Sequence, residues 1–108
     1  MNFDELKKLA EEGMPEAQYN LGLIYSLGKD VSKDDQAAIK WYQLAAEQGF
    51  AEAQTNLGLM YGKGQGVEQN FDKAVKWYRL AAEQGLAQAQ HNLGVMYGRG
   101  QGVAKDLF

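Results

Sequence analysis

The chain contains no cysteine, only one proline and no long apolar run. Without cysteine it can form no disulfide, thiolate metal site or cysteine nucleophile. No stretch approaches the roughly 18 consecutive apolar residues of a membrane-spanning helix, so we expect no membrane span. Its 14 acidic and 11 basic side chains are scattered without runs and give a net charge of -3. Because nucleic acid binding needs clustered Lys and Arg, we expect no nucleic acid partner.

Two blocks of sequence recur at an offset of 36 residues. The first, Ala-Gln-x-Asn-Leu-Gly-x-x-Tyr, begins at Ala17, Ala53 and Ala89, and the second, Lys-Trp-Tyr-x-Leu-Ala-Ala-Glu-Gln-Gly, begins at Lys40 and Lys76. A fixed period of roughly 20 to 50 residues indicates an array of stacked supersecondary units. Such arrays bury apolar faces against their neighbours and leave one long surface free, which favours binding over catalysis.

The period divides the chain into parts of one folding unit. We expect a single repeat domain over 1–108, with an N-terminal helix at 1–13 acting as a polar cap. Repeats follow at 14–49 and 50–85, and 86–108 is an incomplete third repeat. The last repeat lacks its second helix, so the chain is either a fragment of a longer array or a short form.

Each repeat is predicted to contain two helices. In the first block, apolar residues recur at a helical spacing, and we name this helix A. The second block has a broader apolar stripe and is named helix B. Gly58 lies on the stripe of helix A, where glycine costs about 1 kcal/mol relative to Ala. Its copies Gly22 and Gly94 suggest that the missing side chain lets helix B cross closely.

The ends of the helices also carry signals. Ser32, three residues before Asp35, is predicted to cap the first helix B, and Asn70 to cap the second. The glycines from 62 to 66 predict a loop with positive φ, and we expect Asp30 to tolerate that conformation in the first copy. Gly13, Gly49 and Gly85 are predicted to close helices in the left-handed conformation.

With these residues laid out, the pattern resembles the Sel-one-like repeat, a relative of the tetratricopeptide repeat with a longer glycine-containing loop. The residues that carry the resemblance are Ala53, Leu57, Gly58, Tyr61, Gly64, Gly66, Val67, Ala74, Trp77, Tyr78, Ala81, Ala82 and Gly85. The resemblance implies an all-α fold, a right-handed superhelical α-solenoid of antiparallel helix pairs with helix A on the concave side. It also implies a non-enzymatic adaptor that binds a partner protein or peptide on that concave face. Some relatives carry a disulfide in each repeat, which this chain cannot form.

Positions that vary between copies on the implied concave face are the candidate binding residues. They are Tyr19, Thr55 and His91 in one row, Leu23, Leu59 and Val95 in the second, and Leu27, Lys63 and Arg99 in the third. The second row is apolar and the third places positive charge toward one end. An extended peptide with apolar and acidic side chains would suit this surface. The same apolar residues would alternatively pack between successive helices and bind nothing.

Other residues admit a functional and a structural interpretation. His91 is the only histidine and has no metal-ligand or catalytic pattern around it. Trp41 and Trp77 would form an aromatic platform, but identical recurrence favours packing. Asn56 and its copies would either hold a peptide backbone or join helices by hydrogen bonds, and we favour the latter. The sequence predicts no cofactor and no metal.

The alternative function is a hydrolase related to β-lactam-binding cysteine-rich repeat proteins. Ser26 and Lys29 fit the S-x-x-K pattern of penicillin-recognising enzymes, but the companion motifs S-D-N and K-T-G are missing. We therefore interpret this segment as a loop.

The C-terminal edge of the array is expected to support a homo-oligomer. A solenoid cut after helix A leaves Leu93, Val103, Leu107 and Phe108 without their usual cover. Localisation is predicted as cytoplasmic by default, and as periplasmic or secreted if a leader was removed.

Overall fold

The protein is built from consecutive α-helices. The computed structural model describes residues 1–102, and within them there are six helices and no strand. The helices are α1 (Phe3–Glu11), α2 (Pro15–Leu27), α3 (Asp35–Glu47), α4 (Ala51–Lys63), α5 (Phe71–Glu83) and α6 (Ala87–Arg99). Helices α2, α4 and α6 are the predicted helices A, and α3 and α5 are the predicted helices B. Each helix packs on the next one along the chain, which gives an elongated body of 48 × 25 × 17 Å.

The core is divided into three apolar clusters along the array. The central one brings Leu57 of α4, which has no exposed surface, together with Tyr42 of α3 and Trp77 of α5. In the N-terminal one, Trp41 packs on Leu21 of α2 and on Ala10 of α1. Each tryptophan therefore packs both on helix A of its own repeat and on the helix before that helix A. This burial supports the packing interpretation of both tryptophan rings.

Helix A and helix B of one repeat cross closely at a glycine, as the sequence predicts. A methyl group built on Gly58 would lie 2.8 Å from the ring of Tyr78, and one on Gly22 would lie 2.6 Å from the ring of Tyr42. Contacts under 3.0 Å force a neighbouring group to shift. The glycine therefore allows the aromatic ring of helix B to lie directly on helix A.

The turns after helices A differ in one respect from the prediction. Gly62 belongs to α4, which continues to Lys63, so Gly62 does not have the positive φ expected for it. The left-handed residue that ends α4 is Gly64, with φ 67°. Asp30 does adopt the left-handed conformation, at φ 63°, in the place where the second repeat has Gly66.

The predicted cap of the first helix B was wrong. Asp34, not Ser32, is the N-cap of α3, and its Oδ1 accepts a hydrogen bond from the Ala37 N–H at 3.0 Å. Asn70 caps α5 in the same way, as predicted. Asp34 is 36 residues before Asn70, and the N–H of each donates to a carbonyl of the preceding helix A. This backbone bond fixes the start of helix B two residues later than Ser32.

A ladder of glutamine side chains, which the sequence analysis did not identify, joins successive repeats. Gln54 of α4 donates through Nε2 to the Ala46 carbonyl at 3.1 Å, and its Oε1 accepts from Gln84 at 3.0 Å. The same contacts recur at Gln18 and Gln48. The ladder fixes each helix A on the end of the preceding helix B.

Candidate functional site

An open groove of about 560 Å³ lies between α4 and α6. Both helices pack on α5, and Phe71 and Tyr78 of α5 line the groove between them. The lining residues are Leu59, Gly62, Lys63, Gln69, Phe71, Tyr78, His91, Asn92, Val95, Met96, Arg99 and Gln101. We call this the A-groove, because its two walls are helices A.

The A-groove brings together five of the nine candidate binding residues. These are Leu59, Lys63, His91, Val95 and Arg99. The side chains of Lys63, His91 and Arg99 are exposed, Leu59 is 38% exposed, and Val95 is partly buried. Residues that the 36-residue offset relates to one another therefore face each other across one groove.

The other candidates lie elsewhere. Tyr19 and Leu23 of α2 are partly buried against the central cluster, where the Tyr19 ring lies 5.4 Å from that of Phe50. Leu27 is the last residue of α2 and is 71% exposed. Thr55 is buried, and its hydroxyl donates to the Ala51 carbonyl of its own helix at 3.0 Å. Thr55 therefore presents no polar group to a ligand.

The floor of the A-groove is set by Tyr78 of α5. Burial raises the pKa of its hydroxyl to about 12, and a hydrogen bond with the Asn92 side chain partly offsets that effect. Burial likewise raises the pKa of Tyr42, which hydrogen-bonds Asn56 and Ser26. These contacts support the structural role predicted for the repeated asparagines. The neutral phenol of Tyr78 and the side-chain amide of Asn92 thus form the polar floor of the A-groove.

The charge of the A-groove differs from that of the whole chain. Among residues 1–102 its lining contains Lys63 and Arg99 but no Asp or Glu, although the chain carries a net charge of -3. Within residues 1–102 neither cation forms an ion pair; the one ion pair found there joins Lys33 and Asp35 at 3.9 Å. A basic residue in the last turn also suits the helix dipole. Leu27 at the same position of α2 shows that the position does not require one.

Several lining residues were missed by the sequence analysis. Gln69 comes from the loop after α4, where its Nε2 donates to the Gly62 carbonyl at 2.9 Å. Phe71 and Tyr78 come from α5. They share no helical face with Leu59 or Val95, so periodicity within helix A gave no signal for them. Only the folded hairpin brings them into the same groove.

The residues that suggested a hydrolase are not arranged for that chemistry. Ser26 lies in the last turn of α2 and Lys29 follows the helix. The S-x-x-K enzymes need the serine at the start of a helix. Within residues 1–102 no group of three or more His, Asp or Glu side chains is placed to hold a metal ion. No helix in that part of the chain is long and apolar enough to cross a membrane.

The family model of the Sel1 repeat matches residues 15–50, 51–86 and 87–107. The chain belongs to the Sel1 repeat family. Proteins of this family are generally non-enzymatic scaffolds for protein–protein interaction. A search of curated proteins found no match.

Solved structures of Sel1 repeat proteins are similar over nearly the whole chain. The structure of c5321, a protective antigen of uropathogenic Escherichia coli with an SLR fold, is 48% identical, with a TM-score of 0.94 over 98% of this chain. A Sel1 repeat protein from Oxalobacter formigenes is 47% identical, with a TM-score of 0.85 over 88% of this chain. Helicobacter pylori cysteine rich protein B is 29% identical, with a TM-score of 0.79 over 86% of this chain and 73% of its own. The predicted superhelical α-solenoid is thereby confirmed. The chain spans only 23% and 39% of the length of the first two proteins.

Proposed function

We propose that this Sel1 repeat chain is a non-enzymatic module that binds a partner protein or peptide in the A-groove, on the face that helices A form. The observation that carries the proposal is the convergence of Leu59, Val95, Lys63, Arg99 and His91 on one open groove. The family supplies the general interaction role. The groove supplies an apolar centre with polar groups around it, which is typical of peptide-binding surfaces.

The framework beneath the groove is held together by contacts between helices. Tyr78 lies against Gly58, and the Gln54–Gln84 contact holds α4 against the end of α3 and against α5. A binding surface that is organised before the ligand arrives loses less conformational entropy on association. The identical residues of the repeat therefore position the residues that differ between copies.

Two equally exposed leucines on different helices provide the test, since only Leu59 lines the A-groove. Leu59 on helix A is 38% exposed and Leu80 on helix B is 39% exposed. Peptides that bind the chain would be selected from a random displayed library and measured against Leu59→Ser and Leu80→Ser. We expect Leu59→Ser to weaken binding about tenfold, because burial of a leucine contributes about 1.5 to 3 kcal/mol, and Leu80→Ser to leave it unchanged. The reverse pattern would place the site on helices B.

We also propose that copies of the chain contact one another at the edge beyond α6. A methyl group built on Gly94 would meet no atom within 4 Å outside its own helix backbone in the part of the chain that the structure describes, whereas the equivalent Gly22 and Gly58 are covered by tyrosine rings. Of the residues predicted to form this edge, Val103, Leu107 and Phe108 lie outside the described residues. Sedimentation velocity over a concentration series tests the proposal. A single monomeric species at the highest concentration would refute it without affecting the A-groove.

A further inference from the structure

The character of the lining side chains changes along the A-groove, as the helical spacing of these residues requires. Lys63 and Arg99 are the last residues of α4 and α6, so they lie at the same end of the groove. Leu59 and Val95 come four residues earlier, which places them about 6 Å further along the helices. Two cations at one end are therefore followed, one helical turn away, by two apolar side chains.

That interval matches the geometry of an extended peptide. In an extended chain, side chains two residues apart point to the same side and lie about 6.6 Å from each other. A ligand side chain between Lys63 and Arg99 would thus have its neighbour two residues away between Leu59 and Val95. A helical ligand would have to present residues three or four apart instead.

The charges of the groove select the sign of the ligand. No carboxylate lines the groove or pairs with Lys63 or Arg99 within residues 1–102. Acidic side chains are more numerous than basic ones in the whole chain, so their absence here is not a matter of composition. Arginine binds carboxylates with two parallel hydrogen bonds, and the neighbouring lysine adds a point charge.

The equivalent place one repeat earlier lacks these properties and serves as an internal comparison. There, Leu27 stands where the A-groove has its lysine, and Asp35 stands where it has Phe71. Asp35 already binds Lys33 at 3.9 Å and Gln65 at 3.3 Å. Within residues 1–102, α2 and α4 therefore form no equivalent anion-binding site.

From this geometry we infer that the A-groove takes an extended peptide segment with a carboxylate side chain between Lys63 and Arg99 and an apolar side chain, two residues away, between Leu59 and Val95. The inference rests on the proposed function and specifies its ligand class. The apolar pair next to only two cations favours a peptide over nucleic acid, which needs a longer track of positive charge. One carboxylate and one apolar side chain make up the recognition unit.

The experiment uses blocked synthetic peptides and NMR titration of the isotopically labelled 108-residue chain. The first peptide contains Leu-Ser-Glu-Ser-Leu, which presents leucine two residues from glutamate in either direction along the groove. The second replaces glutamate by glutamine. The third has the composition of the first in the order Ser-Leu-Glu-Leu-Ser, which breaks the spacing. A short oligothymidylate tests a polyanion without the apolar side chain.

We expect the first peptide to shift the signals of α4 and α6 and to bind about tenfold more tightly than the second or the third. The double variant Lys63→Gln/Arg99→Gln should remove most of that advantage, and high salt should weaken it. The double variant Lys7→Gln/Lys8→Gln on α1 removes the same number of positive charges away from the groove and should leave binding unchanged. Each variant alters exposed side chains only, so we expect it to keep the native fold. The spectra of the free variants would show this.

Each contrary result overturns a stated part of the inference. Equal binding of the glutamate and glutamine peptides would show that the groove does not recognise a carboxylate. Equal binding of the first and third peptides would show that the two-residue spacing is not required. Oligothymidylate binding that depends on Lys63 and Arg99 would assign the cations to nucleic acid. If none of the peptides binds, the inference fails, whereas the proposed function fails only if library-selected peptides are also unaffected by Leu59→Ser.

Discussion

Helices α4 and α6 are built from almost the same residues but have different surroundings. Leu57 of α4 is fully buried between α3 and α5, and Gly58 lies under the ring of Tyr78. Leu93 of α6 is only partly buried, and a methyl group built on Gly94 would meet no described atom within 4 Å outside the backbone of its own helix. The repeat sequence therefore specifies a helix, whereas the contribution of each residue to the free energy of unfolding depends on whether a helix B covers it.

The largest expected difference concerns the core leucines. Leu57→Ala should cost about 2 to 5 kcal/mol of the free energy of unfolding, because it leaves a cavity in the central cluster. Leu93→Ala should cost less, about 1 to 2 kcal/mol, because Leu93 is only partly buried against the C-terminal cluster. Chemical denaturation followed by circular dichroism measures both. Equal losses would show that α6 is covered as completely as α4.

The glycines at the crossing point should respond with opposite signs. Gly58→Ala places a methyl group 2.8 Å from the Tyr78 ring and 3.2 Å from the Ala74 carbonyl, and overpacking of this kind costs about 1 to 3 kcal/mol. Gly94→Ala meets no such obstacle and should stabilise the protein by up to about 1 kcal/mol through helix propensity. Thermal unfolding of the two variants tests this. A loss of stability in Gly94→Ala would mean that a second helix or a second copy lies on that surface.

A smaller contrast is expected in the glutamine ladder. Gln54 is buried and joins the Ala46 carbonyl to Gln84, whereas Gln90 is exposed and makes a single bond to the Ala82 carbonyl at 3.2 Å. Gln54→Leu should cost about 1 to 2 kcal/mol, because the Ala46 carbonyl and the Gln84 side chain lose their hydrogen-bond partner at a site that water does not reach freely. Gln90→Leu should cost about 0.5 kcal/mol or less. Hydrogen exchange at the start of α4 and of α6 would locate the effect, and a larger loss for Gln90→Leu would contradict the comparison.

At neutral pH the smallest effect is that of Tyr78 ionisation, because it appears only at alkaline pH. The neutral hydroxyl of Tyr78 is favoured by the fold, since its pKa rises from about 10 to about 12 on burial. The corresponding stability is complete below about pH 10 and is lost as the pH rises through about 12. In Tyr78→Phe, the absorbance titration of tyrosinate should lose one group from its last phase. A titration unchanged in that phase would show that Tyr78 ionises with the exposed tyrosines.

The parts of the candidate site that the sequence could predict are those that lie on one helix face. Leu59 and Val95, and Lys63 and Arg99, were found because the 36-residue offset places them at the same position of successive helices A. Thr55 was placed on that face by the same reasoning, yet it is buried, because exposure depends on how closely α4 lies against its neighbours. Tyr78 and Gln69 were missed because they reach the groove from helix B and from the loop.

Local chemistry shows the same division. Asp30 was expected to accept a left-handed conformation, and it does so because its short polar side chain tolerates positive φ. Ser32 was a plausible cap by its spacing to Asp35, but a carboxylate at Asp34 was available where the backbone contact to α2 fixes the start of α3. A choice between two nearby capping residues is settled by a contact from another helix.

The sequence by itself determined the period, the two helices of each repeat, their glycine crossing and the family, because these depend on patterns that recur within one short segment. Tertiary structure alone decided which copies are covered, where the groove opens and that no acidic side chain of residues 1–102 lines it. The exposure of a side chain in the groove and the net charge of the lining depend on residues from several helices. No single repeat contains that information.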